Sequence, residues 1–116
     1  MTSTLPRLER LGDHARLIVD GAPFLCLGGE LHNSSSSDAH HMAPIWDVVG
    51  RSGLNSVVAS VGWDQVEPRE GEFDFSVVDD LIAGARSAGL RIVLIWFGAF
   101  KNALSTYAPT WVRADA

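Results

Sequence analysis

A single cysteine in 116 residues, Cys26, leaves no disulfide framework to staple the fold and no set of thiols to hold a metal. It lies in the apolar run PFLCL and is expected to be a small buried hydrophobe within a strand. The chain also lacks any apolar stretch long enough to span a bilayer, and its start, MTSTLPRLER, lacks the apolar region of a secretory leader. The expectation is therefore a cytoplasmic chain. Positive charge is not in excess: a net charge of −5 gives no electrostatic reason to expect nucleic acid or an anionic membrane as partner. There is no internal repeat, and the only low-complexity stretch is the four serines Ser34 to Ser37. His40 and His41 share one polar segment and are expected to be solvated, because a metal site needs three or four converging donors. No metal and no organic cofactor is expected.

What the sequence does have is 47% apolar residues, enough for a core, arranged in two alternating grammars. Ser56 to Ala59 (SVVA) and Arg91 to Phe97 (RIVLIWF) are short, β-rich and almost continuously apolar, as strands covered on both faces are. Between them Val77, Val78, Leu81, Ile82 and Ala85 recur at helical spacing. Ser76 with Asp79 three residues on resembles a capping box at the start of this helix, and Gly89 supplies the stop. Upstream, Asp20-Gly21 is a hairpin-turn signal and predicts pairing of Arg16–Val19 with Phe24–Leu27, a strand running on into GGELHN. Met42 to Ser52 carries Ile45, Trp46, Val48 and Val49 near one helical face, with Pro44 in a first turn and Gly53 beyond the end. The order is hairpin, strand, helix, strand, helix, strand, which makes a parallel α/β sheet with its chemistry at the carboxyl ends of the strands.

Six ordered motifs fall on that frame: Gly29-Glu30-Leu31-His32 after the first parallel strand, Gly53-Leu54-Asn55-Ser56-Val57 into the second, Trp63 with Glu67-Pro68 and Gly71-Glu72-Phe73-Asp74-Phe75 after it, Gly89-Leu90 into the third, and Pro109-Thr110-Trp111 beyond. Together, over roughly residues 16 to 113, they resemble the amino-terminal part of a glycoside hydrolase family 35 β-galactosidase, a member of the (β/α)8 clan that also holds the family 42 β-galactosidases. Ser60 stands near a position where many animal, plant and fungal family 35 members have tyrosine, and Lys101-Asn102-Ala103 stands where they have Cys-Ala-Glu-Trp. The stretch WFGAFKNALSTYAPTW is instead similar to a bacterial branch with a Lys-Asn run.

The resemblance implies the amino-terminal portion, hairpin plus three strands and two helices, of an incomplete (β/α)8 TIM barrel. A whole barrel needs about 250 residues. Residues 1–15 are expected as a polar segment leading into the hairpin, and 16–116 as part of the catalytic domain. Such an enzyme hydrolyses terminal β-galactosides with retention, using two carboxyl groups about 5 to 5.5 Å apart. The family carries those after the fourth and seventh strands, so no catalytic residue is expected in this chain. Its contribution is pocket wall: Glu30, His32, Ser60, Trp63 and Asn102 are the candidate sugar-binding residues, with Lys101 and Tyr107 behind them. Glu67 is expected to be a loop residue bonding backbone amides, Asp64 and Glu70 solvated charges, and Trp46, Trp96 and Trp111 packing residues. The rival readings are a non-catalytic carbohydrate-binding or interaction module, and a fragment of another (β/α)8 glycosidase such as a family 42 β-galactosidase or a β-glucanase.

Overall fold

The computed structural model describes residues 5–100 and 106–114. Among them are two three-stranded sheets. Strands β1 (Arg7–Leu11), β2 (His14–Val19) and β3 (Ala22–Pro23) form an antiparallel sheet, while β4 (Gly28–Glu30), β5 (Ser56–Gly62) and β6 (Arg91–Phe97) form a parallel one in the order β4-β5-β6. Helix α1 (Ala39–Gly50) follows β4, a single turn α2 (Trp63–Val66) and helix α3 (Ser76–Ser87) follow β5, and α4 (Thr110–Ala114) follows β6. This is a βαβαβ unit: three parallel strands joined by helical crossovers.

The Asp20-Gly21 turn forms as the sequence predicts, with φ of 51° and 81°, the positive pair that a tight two-residue hairpin requires. Its second strand is much shorter than the predicted Phe24–Leu27: only Ala22 and Pro23 pair with β2. One further backbone bond, Phe24 N to Leu17 O at 2.8 Å, follows before the chain leaves β2. The main partner of β2 is β1, which pairs from Arg7↔Ile18 to Leu11↔His14 and places Glu9 opposite Arg16, joined at 2.6 Å. Residues 7–11 of the segment read as polar thus form a strand, and β2 begins two residues before residue 16.

Residues 25–27 are held by a side chain instead of a ladder. The Asn55 amide donates to the Leu25 carbonyl at 2.7 Å and its oxygen accepts from the Leu27 amide at 2.8 Å. An asparagine is suited to this because it offers donor and acceptor together. Cys26, in this segment, is exposed, contrary to the expectation of burial within a strand.

β5 is the centre of the molecule. Val57, Ala59 and Val61 alternate onto the helix face. Ala59 and Val61 meet Met42, Val66 and Leu81, and Val57 meets Ala85 and Leu90, with Trp46 and Ile92 touching both groups. Helix α1 begins three residues earlier than predicted, because Asp38 caps it by accepting from the His40 amide at 3.0 Å. Pro44 consequently sits in the second turn rather than the first, on an exposed side where the carbonyl it strands faces water. Ser76 is the first helical residue of α3 and Phe75 its N-cap; the side chain that helps start the helix is Asp74, one residue before the cap, whose carboxylate accepts from the Ser76 amide at 2.9 Å. At its other end Leu90 N donates to Ala85 O and Gly89 N to Arg86 O around Gly89 at φ 72°, a Schellman stop.

The helices meet where Gly84 of α3 leaves room for the Trp46 indole of α1; an added methyl would overlap the ring. On propensity alone Gly84→Ala would gain about 0.5–1 kcal/mol. Overpacking against a half-buried indole costs roughly 1–3 kcal/mol. The expected outcome is a net loss, read as a lower denaturation midpoint, with recovery when Trp46 is reduced to Leu in the same molecule.

Strand β6 pairs with β5 along its whole length, but among the described residues nothing pairs with its other edge. Val93, Leu94 and Trp96 are 49%, 40% and 55% exposed. Trp96, expected to pack, shares a strand face with Ile92, four residues before it, but unlike Ile92 it is covered by no described element. The isolated 116-residue polypeptide should therefore self-associate; a sharp cooperative melt from a monomer at micromolar concentration in sedimentation and calorimetry would contradict this.

Candidate functional site

The parallel strands deliver Glu30, Ser60 and Trp63 to one edge of the sheet, the carboxyl edge, where loops rather than strands decide geometry. Glu30 ends β4, is exposed, and among the described residues makes no side-chain hydrogen bond or ion pair. His32, two residues on, is engaged with Ser34: its Nδ1 lies 3.0 Å from the Ser34 hydroxyl and accepts from the Ser34 amide at 3.4 Å. An Nδ1 that accepts from an amide leaves the ring proton on Nε2, pointing away as a donor.

Ser60 is part of a buried serine network. Its hydroxyl donates to the Asn33 carbonyl at 2.8 Å and lies 3.0 Å from the Ser36 hydroxyl, which donates to the Ser60 carbonyl at 2.8 Å. Ser36 is 2% exposed and Ser60 8%. The pair fastens the loop after β4 to the end of β5. A role for Ser36 had no signal in the sequence beyond a run of four serines, since nothing there distinguishes one of them from the rest.

The densest arrangement surrounds Glu67. The Trp63 indole Nε1 donates to its Oε2 at 2.7 Å, the Gly71 amide donates to Oε1 at 2.9 Å, and the Trp111 indole donates to the Glu67 backbone carbonyl at 3.0 Å. The two indoles meet edge to face, 5.9 Å between centroids and 87° between planes. The hydrogen bond from Trp63, with that from Gly71, holds the Glu67 carboxyl below the usual carboxylate range. Asp74 is lowered too, by the Ser76 amide and then the Ser76 hydroxyl. The motif Glu67-Pro68-x-x-Gly71 is thereby accounted for: the carboxylate spans four residues to close the turn on a glycine at φ 75°.

Tyr107 packs on Phe97 at 4.9 Å, and its carbonyl accepts from the Asp64 amide. Asp64 and Glu70 are exposed, as are His40 and His41 in the first turn of α1. Lys101 and Asn102 lie outside the described residues. No group of three or more His, Cys, Asp or Glu placed to hold a metal occurs among the described residues. A cavity of about 580 Å³ lies at the opposite end of the sheet, between the hairpin (Leu17, Phe24), α3 and the start of β6, and none of the candidate sugar-binding residues lines it.

The serine network yields a direct test. Ser36→Ala leaves the Ser60 carbonyl and the neighbouring hydroxyl short of a partner in a buried site, with an expected cost of about 1–3 kcal/mol. Ser37→Ala, at an exposed hydroxyl that bonds only the Ser34 carbonyl, should cost much less, and equal losses in chemical denaturation would refute the distinction.

Comparison with known proteins bears on this edge. The family model for glycoside hydrolase family 42, described as β-galactosidase, matches residues 33–113. A curated β-galactosidase of Xanthomonas manihotis is 33% identical over 82 residues, which are 68% of this chain and 14% of that protein. Among solved structures, an exo-β-1,4-mannosidase, Op5Man5, from Opitutaceae bacterium strain TAV5 superposes with a TM-score of 0.63 at 24% identity, over 78% of this chain and 18% of that one, and establishes likeness of fold. The chain thus spans about one seventh of the curated relative it matches. The model that matches is that of family 42, not of family 35, and all the motifs read in the sequence except Gly29–His32 lie within the match.

Proposed function

The chain belongs to the glycoside hydrolase family 42 β-galactosidases, and from that premise we propose that it forms the first three strands of a (β/α)8 barrel whose whole protein hydrolyses terminal β-galactosides with retention of configuration. In this reading the segment supplies one wall of the sugar pocket and its scaffold. Glu30 offers an unengaged carboxylate, His32 an Nε2 donor and Trp63 an indole face; Ser60 acts through the loop it fastens, and Asn102 is included on the strength of the family resemblance.

The observation that supports the reading is the gathering of Glu30, His32, Ser60 and Trp63 at the carboxyl edge of a parallel sheet, where barrels of this kind bind their ligands. The chemistry itself falls to other parts of the protein. Retention needs an acid whose pKa is raised beside a nucleophile about 5 to 5.5 Å away. Glu67, the other glutamate near the edge, is fixed by two N–H donors that favour its charged form, the opposite of what an acid requires. It is read as structural.

Two measurements test the proposal. The whole protein should release p-nitrophenol from p-nitrophenyl β-D-galactoside, while the polypeptide of residues 1–116 alone should not exceed buffer. Turnover by the short polypeptide that vanishes in Glu30→Gln would assign the chemistry to this segment instead. In the whole protein, Glu30→Gln should lower kcat/KM by about tenfold or more if the carboxylate meets a sugar hydroxyl, through loss of a charge-assisted hydrogen bond; unchanged kinetics would remove it from the pocket.

A further inference from the structure

We propose that Glu67 is a positioning residue that fixes the Trp63 indole so that only its face, and not its N–H, is presented at the carboxyl edge, making this wall a platform for the C–H face of a pyranose. The inference rests on the reading of that edge as a sugar pocket.

Three observations converge on it. First, the indole donors of Trp63 and Trp111 are already spent on one residue: Trp63 Nε1 on the Glu67 carboxylate and Trp111 Nε1 on the Glu67 carbonyl. Neither tryptophan can then donate to a hydroxyl without giving up a bond, so what Trp63 has left to offer is π surface. Second, the ring has little freedom to tilt. Its backbone starts α2 directly after the buried end of β5, its edge-to-face contact with Trp111 sets one boundary, and its nitrogen is tethered at 2.7 Å. Third, the tether is itself anchored: the second carboxylate oxygen is held by the Gly71 amide, so the carboxylate cannot rotate away with the indole. Trp63 is only half-buried, which leaves ring surface open to a ligand.

The chemistry of galactose suits such a platform. Its axial hydroxyl leaves the C–H bonds of the opposite ring face gathered into one apolar patch, and an aromatic face stacks on such a patch without any hydrogen bond. A ring held in advance loses little entropy on binding, so the loss on releasing it should appear in KM more than in kcat.

The test uses the whole protein and a double-mutant cycle of Glu67→Gln and Trp63→Phe, with p-nitrophenyl β-D-galactoside as substrate. Glu67→Gln retains one acceptor but sets an amide N–H₂ against a second donor. Trp63→Phe retains an aromatic face but has no N–H to tether. Each is expected to raise KM roughly three- to tenfold with kcat little changed, and the double variant should be no worse than the poorer single one, because both act through the same ring. Additive losses, or losses confined to melting temperature, would overturn the positioning role. A second readout needs no substrate: in protein labelled with ¹⁵N-tryptophan, the indole N–H resonance that disappears in Trp63→Phe should titrate with acid below the usual carboxylate range, and in Glu67→Gln it should not. A Trp63 resonance indifferent to Glu67 overturns the inference whatever the activity. Failure of the galactosidase reading is visible separately, as absence of turnover by the unaltered protein, and leaves the titration to decide whether the tether exists.

Discussion

Everything in this molecule is hung on β5. It is the central strand of the parallel sheet, paired to Gly28–Glu30 on one side and to all seven residues of β6 on the other, and it is buried along nearly its whole length. A strand so placed has no solvent face on which to carry charge, which is why it reads Ser-Val-Val-Ala-Ser-Val-Gly. Its odd-numbered residues make the floor on which α1 and α3 pack. The even-numbered serines at its ends find partners in the surrounding loops: Ser56 donates to Asn55 Oδ1 and Ser60 to the Asn33 carbonyl. A buried hydroxyl without such partners would cost more than the strand gains from small side chains there.

The two ends of the parallel sheet are closed by different physics. At the amino end, the antiparallel β1–β3 sheet and the Arg91–Asp20 ion pair bring the hairpin against β6. At the carboxyl end, single polar side chains tie short loops together: Asp38 caps α1, Asp74 accepts from the first amide of α3, Ser36 and Ser60 lock one loop, and Glu67 spans another. The serine pair is buried, whereas the carboxylates do their work at exposed or half-buried positions.

How far this could be read in the sequence differed between the two kinds of interaction. The apolar periodicities of Ser56–Ala59, Arg91–Phe97 and Val77–Ala85 placed β5, β6 and α3, and Gly89 stopped α3 where expected, because burial writes its pattern into many residues at once. The errors fall where one polar atom decides. Asp38, not the apolar run from Met42, starts α1, and the Asp74 carboxylate, not the Ser76 hydroxyl, takes the first free amide of α3. Beyond Phe24 the Asn55 side chain, not β2, holds the segment predicted as a strand, and the main partner of β2, β1, was hidden in a segment whose charges, Glu9 and Arg16, proved to be a cross-strand pair. Trp96 was misjudged for another reason: its burial depends on a neighbour that no pattern within the chain could supply. The family was reached at the level of the (β/α)8 β-galactosidases, and the motifs shared across that clan did not distinguish family 35 from family 42.

The motif residues also divide by what holds them. Asn55, from Gly-Leu-Asn-x-Val, is explained wholly by the backbone it braces at Leu25 and Leu27. Glu67 and Gly71 are explained by each other, since a carboxylate that must reach an amide four residues on requires the left-handed backbone that glycine permits. Trp63 is not exhausted in this way: its nitrogen is spent internally, yet part of its ring remains at the surface. Half-exposing so large an apolar group forgoes burial that the same ring could have gained inside the core. A ring left half-open while its one polar atom is tethered has its orientation set by a hydrogen bond to Glu67 together with the edge-to-face contact with Trp111, not by enclosure in the core.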